Sequence, residues 1–331
     1  MKIFLLQLKR IGDLILTTPA IAAVREKFPH AEITLVVSDA TRDLLPAVVG
    51  LDHTLLASDW ATVARRKFDT SIDFTHSDRS ALLTLLAGAQ TRVTSGHVKM
   101  QSKVRALVYN RFVPSGLREL HTVDHYLALL EPLGIRESSA ALTLELPSAA
   151  LTAADQVLAE HHVTGDFLLL HPGSARSEKF WEAERWSEVI AFATRSGLPC
   201  LVTGSPSFIE ENHIAQIKAT SGASFIDLCG RLDLLTLAAL IKKARLLVTV
   251  DSAPVHLAAA MHTPQVALFG PTNPLHWRPR FTSALILQAG EVTPLTEFSP
   301  DAKGAPMNLI STQQVIDAMK ALLAPPRAAP L

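Results

Sequence analysis

The chain has 331 residues, more than a single hydrophobic core usually serves, so two domains are expected. A hydrophobic content of 48% with 19% charged residues excludes a disordered or fibrous chain. Lys+Arg and Asp+Glu are both 31, so net charge points to no nucleic-acid partner, yet between Arg79 and Arg118 seven Lys/Arg residues occur without one carboxylate.

The first residues, Met1-Lys2-Ile3-Phe4-Leu5-Leu6-Gln7-Leu8-Lys9-Arg10, are too short and too soon charged for a signal-peptide core. No apolar run approaches the ~18 residues of a membrane span. A cytoplasmic protein is expected, at most peripheral to a membrane. Cys200 and Cys229 each sit in an apolar segment and read as small core residues.

Residues 2–8 read as a buried strand, followed by strands at 31–38, 53–57, 69–75 and 91–95. Helical patterns fill the intervals at 13–28, 40–49, 59–67 and 79–88. Such βαβ alternation implies a parallel sheet covered on both faces. Residues 96–120, with Gly96, Pro114 and Gly116, read as a long loop, and loops of that length are usually functional or disordered. A helix over 121–134 closes at Pro132-Leu133-Gly134. The pattern loosens over 145–153, which divides a domain of residues 1–148 from one of 149–331.

The same alternation then restarts. Strands are expected at 166–171, 198–203, 224–228, 245–250 and 264–269, and helices at 181–196, 207–220, 233–244 and 253–261. An amphipathic helix at 311–323 can pack back across the domain boundary, and residues 324–331, with three prolines, read as a frayed end. Two Rossmann-like halves of this size, facing across a cleft, make the α/β architecture called GT-B.

Four segments follow strands directly and so lie where open α/β sheets bind ligands. In Arg10-Ile11-Gly12-Asp13, Gly12 permits a tight turn and Asp13 opens a helix. Two roles stay open for Asp13, a helix N-cap and a general base. In His171-Pro172-Gly173-Ser174-Ala175-Arg176-Ser177-Glu178-Lys179, Gly173 and Ser174 suit a loop whose N–H groups approach an oxyanion. Arg176 and Lys179 are the cations able to neutralise a diphosphate, unless the segment is only a solvated loop. Trp181 and Trp186 read as helix packing. The run Val248-Thr249-Val250-Asp251-Ser252-Ala253-Pro254-Val255-His256 carries a buried strand into a helix N-terminus, an anion site by its free N–H groups and dipole. Leu268-Phe269-Gly270-Pro271-Thr272-Asn273 is a strand and tight turn beside it.

In this order the segments resemble those of glycosyltransferase family nine, the ADP-heptose:lipopolysaccharide heptosyltransferases. The shared signatures are Gly12-Asp13 with Thr17, Lys179 before Trp181, Asp251-Ser252 with His256, and Phe269-Gly270-Pro271-Thr272. Asp251-Ser252-Ala253-Pro254 and Trp277-Arg278-Pro279 look closer to the third inner-core type than to the first. The resemblance implies an inverting transferase with Asp13 as catalytic base. Ser174 and Lys179 would hold the donor diphosphate; Asp251, Ser252, His256, Gly270 and Thr272 would complete the donor site. The family's ribose-binding carboxylate has no clean counterpart in this sequence; Glu210 or Glu211 would serve, with a gap in the alignment. An anionic lipopolysaccharide core would be the acceptor, met by Lys99, Lys103 and Arg105 together with Arg65 and Arg66. No cofactor and no metal are expected, since Asp-Xaa-Asp is absent and the histidines lack ligand spacing. Two other readings stay open: a transferase of another nucleotide sugar for O-antigen or capsule, and a two-domain ligand-binding protein.

Overall fold

The computed structural model describes residues 1–114 and 116–324. The chain divides into two compact units, changing between Glu145 and Leu146. Of the frayed end expected over 324–331, residues 325–331 lie outside the described residues.

The first unit runs β1 (Lys2–Gln7), α1 (Ile11–Lys27), β2 (Glu32–Val37), β3 (His53–Leu56), α2 (Trp60–Arg65), β4 (Thr70–Asp73), α3 (Asp78–Ala87), β5 (Thr91–Ser95), α4 (His97–Gln101), α5 (Lys103–Ala106), β6 (Arg111–Val113) and α6 (Thr122–Ala128). Its sheet is parallel in the order β3-β2-β1-β4-β5-β6. Ile3 through Leu6 are fully buried because helices cover both faces of the central strand. On one face Phe4, Leu6 and Val36 meet Val63, Phe68 and Leu83. The order reverses between β1 and β4, and their carboxyl ends form the switch point where such sheets open a crevice.

The second unit repeats the plan: α7 (Ser148–Glu160), β7 (Leu168–His171), α8 (Ala183–Arg195), β8 (Cys200–Val202), α9 (Phe208–Thr220), β9 (Ile226–Asp227), α10 (Leu234–Lys243), β10 (Leu246–Val250), α11 (Ala253–Ala260), β11 (Gln265–Phe269), α12 (Pro274–Trp277), β12 (Ala284–Gln288) and α13 (Thr312–Leu323). The order β12-β11-β10-β7-β8-β9, again all parallel, puts the switch point between β7 and β10. Two doubly wound parallel units are the fold class expected from the sequence.

Several details differ from expectation. The loop expected over 96–120 contains α4, α5 and the edge strand β6. Segments 40–49 and 121–134 are not continuous α-helices: the first is a 3-10 helix over Asp39–Ala47 containing Pro46. The second becomes α6 and a 3-10 turn at Glu131–Leu133, where Pro132 lacks an N–H and Gly134 (φ 74°) ends the segment in the left-handed region. α7 and β12 have no counterpart in the sequence expectation. α13 seats Val315, Ala318 and Met319 in the second unit's own core, with Leu168, Trp186 and Val266, so its apolar face is committed there.

Candidate functional site

Asp13 is placed by the first turn of α1, directly beyond the carboxyl end of β1. It is not the N-cap: Arg10 holds that position, and Asp13 stands in the third helical position with Gly12 inside the helix before it. The first turn is pinned from below, since Thr17 donates its hydroxyl to the Asp13 carbonyl at 2.7 Å and accepts from Gln7 Nε2 at 2.8 Å. Two residues on, Pro19 removes the donor that Ile15 C=O would receive, and the Thr18 hydroxyl supplies it at 2.8 Å.

The Asp13 carboxylate is nearly buried and is held from α6, where Tyr126 donates its hydroxyl to Oδ1 at 2.8 Å. Lys9 Nζ stands 4.0 Å from the same oxygen and 3.4 Å from the Tyr126 hydroxyl. Burial, then the neighbouring Asp13, pushes the Tyr126 phenol well above its ordinary value, so it stays a donor. Loss of water lowers the Lys9 ammonium below its usual range, against the pull of Asp13 and then Asp73. Oδ2 of Asp13 takes no hydrogen bond from the described residues.

Behind this pair, Asp73 ends β4 fully buried and accepts from Ser80 Oγ at 2.7 Å, from the Tyr109 hydroxyl, and from the N–H groups of Thr75 and His76. Burial raises its carboxyl despite those four donors. His76 (φ 67°) and His125 stand edge to face, ring centroids 5.6 Å apart, and burial lowers both to about 3, so both are neutral near pH 7. Their Nε2 atoms have no hydrogen-bond partner.

In the second unit, the loop after β7 and the start of α11 after β10 bring Lys179 to Asp251. Lys179 Nζ donates to Asp251 Oδ2 at 2.6 Å and to its carbonyl at 3.0 Å, while the Thr272 hydroxyl reaches the same Oδ2 at 2.6 Å. Lys179 and Asp251 are 9% and 5% exposed, too little for an ordinary surface ion pair. Ser252 caps α11 by position, its hydroxyl donating to Val250 C=O at 3.2 Å. Pro254 has no N–H, and that of Val255 bonds back to Ser252 C=O at 3.1 Å, which leaves the N–H groups of Ser252 and Ala253 at the helix start. His256 is buried one turn on.

The loop itself is shaped by a carboxylate. Glu210 Oε2 and Oε1 accept from Ser205 N–H at 2.9 Å and Ser205 Oγ at 2.7 Å, and a Cβ on Gly173 would overlap Oε2. Only glycine lets the β7 loop and the start of α9 approach this closely. Glu210 is 5% exposed and stands 3.9 Å from His171 Nε2, whereas Glu211 points to solvent. Of the two candidates, Glu210 is therefore the one at the loop. Burial lowers His171 to about 4, Glu210 opposing, and its Nδ1 meets Thr203 Oγ1 at 2.9 Å.

Ser174 is buried and its Oγ accepts from Arg176 N–H at 3.4 Å, but Arg176 turns outward to Glu178 at 2.6 Å. Gly270 is a packing position, since a Cβ there would overlap Met307. Trp181 and Trp186 pack edge to face in the core, 5.2 Å apart. Among the basic residues, Arg105 is committed to Asp78 at 2.9 Å and His76 C=O at 2.6 Å, so it braces α5 on α3 and is no free cation. Lys99 and Lys103 are exposed beyond the carboxyl end of β5, the same end of the sheet as Asp13. Arg66 pairs with Glu32 at 3.6 Å, at the amino end of β2, and Arg65 bonds within its own helix. These two do not join the others: α2 runs back to the opposite edge. The residues that motif reading missed are Lys9, Asp73, Tyr109 and Tyr126.

Residues 57–303 match the family described as glycosyltransferase family 9 (heptosyltransferase). Lipopolysaccharide heptosyltransferase 3 of Escherichia coli is 26% identical, over 94% of this chain and 96% of that protein. The crystal structure of a glycosyl transferase family 9 protein from Veillonella parvula DSM 2008 superposes with a TM-score of 0.84 at 25% identity, covering 97% of each chain. The E. coli heptosyltransferase WaaC with ADP-2-deoxy-2-fluoro heptose superposes with a TM-score of 0.73 at 17% identity, covering 97% of this chain and 99% of that one.

Proposed function

Because the chain belongs to glycosyltransferase family 9, we propose that it moves a heptose from ADP-heptose to the core of a lipopolysaccharide, with inversion and without a metal ion. The observation that carries the donor side is the buried Lys179 at the switch point of the second sheet, tied to Asp251 and Thr272. There its ammonium, with the N–H groups at the start of α11, meets the charge that grows on a departing diphosphate. Glu210, on the far side of the same loop, is placed to accept from ribose hydroxyls, and Ser174 and His256 border the nucleotide. The relatives named for lipopolysaccharide heptosyl transfer, and the neighbour holding an ADP-heptose analogue, support this donor.

On the acceptor side Asp13 is the base. The acceptor hydroxyl oxygen bonds to the anomeric carbon as Asp13 Oδ2 takes its proton. The bond from that carbon to the diphosphate oxygen breaks, and ADP leaves with the electron pair. Tyr126 fixes Oδ1 so that Oδ2 is the oxygen presented. Exposed Lys99 and Lys103 draw an anionic core toward this end of the first unit. The protein works in the cytoplasm, peripheral to the inner membrane.

The test is turnover of ADP-heptose against truncated lipopolysaccharide cores, read as ADP release and a product of one added heptose. ADP-glucose and UDP-sugars serve as competing donors. Preferred turnover of one of these would move the chain to another glycan; acceptor-independent binding without ADP release would remove the enzymatic reading.

A further inference from the structure

Among the described residues, five of the twelve exposed large apolar side chains, Leu82, Leu85, Met100, Val104 and Leu107, crowd into one stretch of the first unit. Three belong to the α4–α5 segment, where Met100, Val104 and Leu107 are 74%, 78% and 83% exposed. The segment is not loosely packed: Val98 is fully buried, and with Ala106 it belongs to a cluster that includes Ala81, Tyr109 and Phe112. Ser102 caps α5 through Arg105 N–H, and Arg105 ties α5 to Asp78. A well-anchored element thus holds apolar side chains outward, which water alone does not favour.

Exposed Lys99 and Lys103 interleave with these residues, and no carboxylate occurs from Arg79 to Arg118. Outward apolar groups among cations complement a surface that is apolar beneath and anionic at its face. No helix among the described residues is long and apolar enough to cross a membrane.

We propose that the α4–α5 segment is a docking surface for an anionic phospholipid bilayer, with Met100, Val104 and Leu107 entering the headgroup boundary and Lys99 and Lys103 meeting lipid phosphates. This deepens the peripheral placement proposed above and relocates it: the Arg65-Arg66-Lys67 run lies at the other end of the sheet, where Arg66 pairs with Glu32. It does not depend on which sugar is transferred.

The full chain is sedimented with vesicles of phosphatidylcholine alone and with about 30% phosphatidylglycerol. Binding to the anionic vesicles only, weakened by salt, is expected. Met100→Ser/Val104→Ser/Leu107→Ser should weaken it by about tenfold or more while calorimetric ADP affinity stays unchanged. Arg65→Ser/Lys67→Ser should bind as wild type. Wild-type binding by the apolar triple variant overturns this surface but leaves a peripheral protein; no binding to anionic vesicles overturns both. Equal loss of turnover by the triple variant on a deacylated, vesicle-free acceptor would also overturn it, by assigning the face to the saccharide.

Discussion

Tyr126 donates its hydroxyl to Oδ1 of Asp13 at 2.8 Å, joining residues 113 positions apart, and its ring stands edge-on to Phe74 at 5.4 Å. A base that must accept a proton in one direction gains from having its other oxygen fixed.

Asp13→Asn should lower kcat by ~10²–10⁴ with donor affinity nearly intact. Tyr126→Phe keeps the ring and removes the donor, so kcat should fall by about tenfold while donor affinity stays near its wild-type value. In an Asp13→Asn background Tyr126→Phe should cost little more. Steady-state kinetics on the four proteins decides. Normal turnover in Asp13→Asn would remove the base; an unchanged kcat in Tyr126→Phe would leave the tyrosine a packing role only.

Lys179→Ala should weaken ADP binding by about 1.5–3 kcal/mol, through loss of a charge-assisted contact. It should also destabilise the second unit, because Asp251 keeps a buried charge with only the Thr272 hydroxyl left on its Oδ2 among the described residues. Lys179→Ala/Asp251→Asn separates the two effects: stability should recover in part and ADP affinity should not. Calorimetry and denaturant unfolding measure them. Chelator should leave turnover unchanged, and a strict metal requirement would count against this account of the diphosphate.

Glu210→Ala should weaken ADP by about 1–2 kcal/mol, whereas Glu211→Ala should change it little. Gly173→Ala should be harmful through the Glu210 carboxylate, which Ser205 holds in place. Combining it with Glu210→Ala should restore stability. If Gly173→Ala is harmless alone, the carboxylate is free to move and does not shape the loop.

The strands and most helices were legible because each is a short apolar run or an amphipathic period between clear breaks, as in Leu246–Val250 running into Asp251-Ser252. The strand-end motifs pointed to Asp13, Lys179 and Asp251 since switch-point residues follow strands in sequence. Tyr126 and Lys9 were not legible: one is an ordinary helix residue and the other an ordinary lysine until the fold sets them beside Asp13. The basic stretch misled for a related reason. Composition counts Arg66, Arg105 and Lys103 alike, and only the structure separates those paired with Glu32 or Asp78 from the one left in solvent. α4 and α5 escaped notice because helices of five and four residues carry too little periodicity to stand out near Gly96.

The buried pair His76 and His125 gives the first unit a pH dependence whose sign is fixed. In the fold both titrate at about 3, chiefly through burial, against an ordinary value of 6.5. Between those limits the unfolded chain binds more protons than the folded one, so stability rises with pH and is lost on acidification. Each histidine contributes a slope of up to about 1.4 kcal/mol per pH unit across that window. Asp73 works the other way, because its raised carboxyl takes up a proton at higher pH in the fold than in the unfolded chain. Denaturant unfolding at pH 7 and pH 5 should therefore show a marked loss at the lower pH. His76→Asn/His125→Leu should flatten that loss; Asn suits the left-handed backbone at position 76, and Leu removes an imidazole whose Nε2 has no partner. An equally steep loss in the double variant would mean that the two rings take up protons in the fold as readily as in the unfolded chain, contrary to the burial that defines them.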